Sequence, residues 1–136
     1  MYQYNCTVTK VIDGDTLDVD IDLGFSVKLT KQRIRMMGID TPESRTRNKE
    51  EKVRGLLSKK YLLNMCPIGS TIRLISHDKG KFGRILGEIF TIGSEVSVNK
   101  IMCQDGFAVE YYGGSKDDLE EQHQLNKQKL IERGLL

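Results

Sequence analysis

Residues 16–23 read TLDVDIDL, with an apolar side chain at every second position and aspartate between. Leu17, Val19, Ile21 and Leu23 fall on one side of an extended chain, and Asp18, Asp20 and Asp22 on the other. A period of two with one apolar face predicts a half-buried antiparallel strand, with the three aspartates as its wet side. The same spacing rules out an EF-hand calcium loop. Such a loop needs glycine at its sixth position, and counting from Asp18 that position is Leu23.

Upstream, VIDGDT sets Gly14 between Asp13 and Asp15, which reads as a hairpin turn joining residues 3–12 to 15–23. A third strand is expected from 25 to 39, completing a meander. In residues 48–65 the period changes. Val53, Leu56, Leu57 and Tyr61 take the spacing of an amphipathic helix, and CPIG ends it. STIRLISH and RILGEIFTI read as two further strands flanking the turn DKGKFG. SVNKIMCQDG reads as a short helix with Ser97 as cap and Gly106 as stop, and FAVEYY as a short extended piece. A last helix follows, capped by Ser115 or Asp117 and closed by Gly134. Five strands with antiparallel neighbours and three helices predict a mainly-β α+β fold. Its form is a small, partly open barrel of the oligonucleotide/oligosaccharide-binding (OB) type. At 136 residues the chain is expected to be one domain, 1–136.

Several classes are excluded early. No apolar run approaches the roughly 20 residues of a membrane span, so no membrane partner is expected. MYQYNCTVTK has neither the basic nor the apolar region of a signal peptide. Cys6, Cys66 and Cys103 are odd in number and far apart, which predicts packed, reduced thiols in a cytoplasmic protein. The net charge of +2 hides an uneven distribution: residues 44–84 hold 11 Lys/Arg against 3 Asp/Glu, and residues 1–43 hold 5 against 7. A basic middle beside an acidic front suits a polyanion held near a cation, although a solvated charged face gives the same count.

RIRMMGIDTPES, residues 33–44, offers the groups for that chemistry. A strand puts Arg33 and Arg35 on one face. At its end stand Asp40, the Thr41 carbonyl and Glu43, with Pro42 forcing the chain out of the sheet. Oxygen-only ligands suit a hard ion such as calcium and leave room for water and a phosphate oxygen. Plainer roles stay open for each residue. Asp13 and Asp15 serve well as turn formers, Asp40 as the start of a turn and Glu43 as part of a helix cap. Arg35 and Arg84 could equally form surface ion pairs.

DGDT, then R-x-x-x-x-D-T-P-E, then DKGKFGR, together resemble the staphylococcal (micrococcal) nuclease, or thermonuclease, family, from residue 5 to residue 133. The resemblance implies an OB-fold enzyme, a calcium-dependent endonuclease that hydrolyses DNA and RNA with little sequence specificity and leaves 3′-phosphates. By the same resemblance Asp15, Asp40 and the Thr41 carbonyl bind Ca2+, and Asp13 supports them. Glu43 is the general base, while Arg35 and Arg84 hold the scissile phosphate. Lys79, Lys81, Phe82 and Tyr112 contact the nucleic acid. Arg33 competes with Arg35, whose spacing to Asp40 fits the family better. The link from Asp15 to Arg35 is longer than in the founding member and the DKGKFGR loop is shorter. Phe82 replaces a tyrosine, and Gly114 falls where the family has a further aromatic. His77 and His123 are read as surface residues without a role. The expected protein is a monomer, cytoplasmic or phage-encoded. A non-catalytic nucleic-acid-binding OB module is the runner-up, and a protein-interaction barrel would leave the basic segment unexplained.

Overall fold

A computed structural model of the chain describes residues 2–79, 83–113, 117 and 119–136, with the Lys79 side chain outside that description. β1 (Tyr2–Asp13) and β2 (Thr16–Asp22) form the expected hairpin, with Val8 against Val19 and Asp13 against Thr16. Leu17, Val19 and Ile21 are buried as their spacing requires, but Leu23 is exposed. The ladder ends at Asp22. Leu23 N–H then bonds the Val27 carbonyl (2.9 Å), and Val27 N–H bonds the Gly24 carbonyl (2.9 Å). Phe25 and Ser26, the two central residues, take φ of 55° and 64°. That pair of left-handed residues makes a primed turn, whose twist matches the strands it joins.

The strand expected over 25–39 is therefore shorter. β3 spans Lys28–Met36, Gly38 turns the chain with φ of 80°, and β4 is the separate pair Ile39–Asp40. After α1 (Lys49–Met65) come β5 (Thr71–Lys79) and β6 (Ile85–Thr91). Five strands close into a barrel in the order β1-β2-β3-β6-β5, a fully closed ring where the sequence suggested a partly open one. All neighbours are antiparallel except at one seam. β3 and β6 run parallel, with Ile34 against Ile85 and Met36 against Gly87. An odd ring cannot alternate direction all the way round, so the expectation of antiparallel neighbours throughout fails at closure. The barrel interior holds Leu17, Val19, Ile34, Leu74 and Ile89, all fully buried.

α1 starts at an Asn48 cap, whose side chain accepts from Glu50 N–H and Glu51 N–H. Its fully buried residues are Arg54, Gly55, Ser58 and Leu62; of the stripe read from the sequence, Leu57 and Tyr61 pack partly buried against the core, while Val53 and Leu56 are exposed. The helix makes a close approach. A Cβ added to Gly55 would fall 2.3 Å from the Glu43 carbonyl oxygen, and one added to Gly14 would fall 2.7 Å from Ser58 Cβ. Large apolar side chains do not fit at those two contacts, which glycine and serine fill instead. α2 (Val98–Gln104) is capped by Ser97. β7 (Val109–Glu110) pairs with β4, and α3 (Leu119–Glu132) packs against β7. Ser115 lies outside the described residues. Among the described residues no helix is long and apolar enough to cross a membrane.

Candidate active site

The tip of the first hairpin, the end of β3 and the exit of β4 converge. Gly14 lets this happen: its missing side chain brings the turn against α1 and within 3.1 Å of Thr41 Cγ2, measured from where a Cβ would sit. Asp15 then faces the β4 exit. Its Oδ1 accepts from the Thr16 hydroxyl (2.9 Å), and its Oδ2 accepts from Thr41 N–H (3.2 Å).

Arg35 enters from β3, where it is paired with Thr16. Its Nη2 lies 3.4 Å from Asp15 Oδ2 and 3.6 Å from Asp40 Oδ1. Nη1 donates to the Met36 carbonyl (2.9 Å), which fixes the guanidinium. Asp15 and Asp40 are each only 8% exposed, so one guanidinium is shared by two nearly dry carboxylates. Arg33 does not compete for this position. It makes a paired contact with Asp18 across the hairpin, Nε to Oδ1 at 2.9 Å and Nη2 to Oδ2 at 3.2 Å. The Asp18 hydrogen bonds raise the Arg33 pKa further. Asp18, expected only to face water, thus has a partner. So do Asp20, which accepts Lys31 N–H, and Asp22, which accepts Gly24 N–H.

The loop after β4 carries Glu43. Asp13, on the far side of Gly14, holds this loop: its Oδ1 accepts both the Ser44 N–H (3.2 Å) and the Ser44 hydroxyl. Glu43 N–H donates to Glu51 of α1 (3.2 Å), and the Glu43 residue is exposed. A pocket of about 140 Å³ is lined by residues that include Asp40, Thr41, Glu43, Glu51, Arg54 and His123. Arg54 is buried there with no hydrogen-bond partner for its Nε among the described residues.

His123 corrects the sequence reading outright. It is 8% exposed, and its Nε2 lies 3.0 Å from Asp40 Oδ2. His123 and Leu130, one heptad apart, are the two buried residues of α3. His77 also has a partner, Glu88 at 3.0 Å, and is only partly exposed.

The remaining expected site residues are spread more widely. Arg84 stands just before β6 and shares an open groove with Asp18, Lys31, Gln32, Arg33 and Gly83; Asp15 and Asp40 do not line it. Tyr112 is 81% exposed and lies over Gly38, at the edge of a different groove that Asn99 and Lys129 help to line. Lys81, Phe82 and the Lys79 side chain lie outside the described residues, as does Gly114.

The donor chemistry fits a hard cation. Among the described residues no three His, Cys, Asp or Glu side chains gather as a metal cage. Asp15 and Asp40, joined through Arg35, offer oxygen donors of the kind that calcium or magnesium completes with water and substrate.

A family model described as staphylococcal nuclease homologue matches residues 33–132. The thermonuclease of Staphylococcus hyicus is 32% identical over 132 residues, covering 90% of this chain and 70% of that protein. An uncharacterized protein of Bacillus anthracis is 30% identical over 109 residues; the match covers 77% of this chain but only 46% of that protein. With the closed barrel and three helices, the family match leaves one conclusion: this chain belongs to the staphylococcal nuclease family.

Proposed function

We propose that the protein is a calcium-dependent phosphodiesterase that hydrolyses DNA, RNA or both with little sequence specificity and leaves 3′-phosphate ends. One observation carries the reading: Arg35 Nη2 stands 3.4 and 3.6 Å from the carboxylates of Asp15, in the β1–β2 turn, and Asp40, at the end of β4. Family membership and the likeness to a thermonuclease support the reaction class.

Asp15, Asp40 and the Thr41 carbonyl are the proposed ligands. Calcium, when bound, supplies positive charge against which a phosphate oxygen can rest. Everything else falls to the chain's own groups. A phosphodiester is an anion, and attack places more charge on its oxygens. Arg35 is the proposed donor to the scissile phosphate, because a guanidinium makes paired bonds to phosphate oxygens and is already aimed at this spot. Arg84 is the proposed second guanidinium, approaching from the β6 side. Glu43, exposed beside Asp40, is the proposed base that takes a proton from the attacking water. Asp13 acts on Glu43 only through the Ser44 bonds that set the loop. Lys79, Lys81, Phe82 and Tyr112 are proposed contacts to the rest of the strand, with the aromatics stacking on bases.

The test is direct. The protein is incubated with single- and double-stranded DNA and RNA, with calcium and with chelator, and the product ends are identified. Cleavage with calcium alone and 3′-phosphate ends support the proposal. Binding without cleavage in every arm would instead favour a nucleic-acid-binding module.

A further inference from the structure

We infer that His123 is a positioning residue for the cation, and that α3 sets the affinity of the site through it. The inference rests on the reading above, which takes Asp15 and Asp40 as calcium ligands. It adds a residue and an element that none of the site motifs contains.

The two carboxylates are held differently. Asp15 is gripped by its neighbours on the hairpin and the β4 exit, through the Thr16 hydroxyl and Thr41 N–H. Asp40 ends a two-residue strand, and the pairing of Asp40 with Val109 fixes its backbone. Backbone pairing does not fix a carboxylate plane, because the terminal torsion of aspartate is broad. The plane is set by what touches the oxygens. Oδ1 faces Arg35 at 3.6 Å, and Oδ2 faces His123 Nε2 at 3.0 Å. A carboxylate only accepts hydrogen bonds, so Nε2 carries the hydrogen. His123 thereby keeps Oδ2 occupied and leaves Oδ1 on the side of Arg35.

His123 itself is set by α3, and α3 is tied on three sides. Asn126 donates to the Ala108 carbonyl (3.0 Å), Lys127 pairs with Glu50 of α1, and Leu130 enters the core. The last helix is thus wired to the carboxylate of a proposed ligand 83 positions earlier. Hydrogen-bond partners of metal ligands typically carry a 10–100-fold share of metal affinity.

The test is a calorimetric titration of the whole protein with calcium alone, without nucleic acid, at a temperature where each variant is folded by circular dichroism. His123→Ala is expected to weaken calcium binding 10–100-fold. His123→Gln, whose amide can donate from nearly the same place, is expected to recover most of that loss. Leu130→Ala, on the same buried face of α3, is expected to lower the Tm while the folded protein keeps its calcium affinity. Wild-type affinity in His123→Ala would overturn the inference. So would an equal loss in Leu130→Ala, or no recovery in His123→Gln. A wild type that takes up no calcium would remove the metal reading as well. A wild type that binds and cleaves, with an unaffected His123→Ala, would remove this inference alone.

Discussion

The backbone carbonyl of Glu43 occupies the place where a side chain on Gly55 would begin, 2.3 Å from an ideal Cβ. This contact puts the loop of the proposed base directly on α1. Alanine in place of a helix glycine normally stabilises by about 0.5–1 kcal/mol. Gly55→Ala is expected to do the reverse. Overpacking of this kind costs about 1–3 kcal/mol, and relief comes only by moving the Glu43 loop or the helix. Thermal unfolding should show a lowered Tm, and kcat should fall more than the stability loss explains. A variant as stable as the parent would mean the contact is loose.

Glu43→Gln isolates the proton transfer. Glu43 is exposed, and its backbone N–H, not its side chain, makes the bond to Glu51. Its loss should therefore leave the Tm unchanged. A general base is worth about 10²–10⁴ in rate. Single-turnover cleavage in calcium should drop by that factor, and substrate binding in chelator should stay as it was. Retained cleavage would remove Glu43 from the role.

Arg33 and Arg35 lie two residues apart on one strand, yet substitution should separate them. Arg35 has a 14% exposed side chain and serves two buried carboxylates, whereas Arg33 is 48% exposed and serves one partly buried aspartate. Removing one partner from a buried ionic group costs about 3–5 kcal/mol. Arg35→Gln is thus expected to destabilise strongly in chelator and to regain stability when calcium is added. Its cleavage rate should fall by about 10³–10⁵. Arg33→Gln should lose at most about 1 kcal/mol, as exposed pairs do. Denaturant unfolding with and without calcium checks both.

That contrast shows what was legible in the sequence. Leu17, Val19 and Ile21 declared their strand, because one period covers burial and backbone alike. Asp15, Arg35, Asp40 and Glu43 are singled out by the family resemblance, and the first three meet at one point. The choice between Arg33 and Arg35 was not decidable from a two-residue period, since both face the same way. Asp18, across the hairpin, takes Arg33 and leaves Arg35 to the two buried carboxylates. The helix α1 and the inward side of Leu57 and Tyr61 were legible, but its closest contacts are built from Gly55 and Ser58, which a hydrophobicity pattern does not count. His123 was missed because its partner lies 83 residues away, and only the docking of α3 brings them together.

The proposed donor set carries an expected metal dependence. An all-oxygen site of two carboxylates and a carbonyl leaves several coordination positions to water and phosphate, which calcium tolerates at 6–8 ligands. Magnesium requires near-ideal octahedral geometry. Calcium should raise the Tm, since a ligand at about 100 times its Kd stabilises by about 2.7 kcal/mol. Magnesium should raise it less and support little or no cleavage. Equal shifts with both ions, or cleavage that survives chelator, would rule out the proposed site.

Alkaline pH should expose the buried thiols and one phenol. Burial pushes Cys6 and Cys66 up to about 12, with Asp22 adding to the effect at Cys6. Burial and the charge of Glu110 push Cys103 up to about 11. Tyr61 is raised to about 12, first by burial and then by its hydrogen bond to Asp105. Each of these groups is neutral when protonated, and each is harder to ionise in the fold than in the unfolded chain. The stability they carry is therefore complete below pH 9.0, the ordinary thiol value, and is lost as pH rises towards 12. Denaturant midpoints should stay level up to pH 9 and fall above it. At pH 8 a thiol with a pKa of about 12 is only about one part in 10⁴ thiolate. Cys6 and Cys66 should thus ignore a thiol reagent in buffer at that pH, Cys103 should react slowly, and all three should react at once in guanidinium. Fast labelling of Cys66 in the folded protein would mean that α1 opens from the barrel far more often than its packing allows.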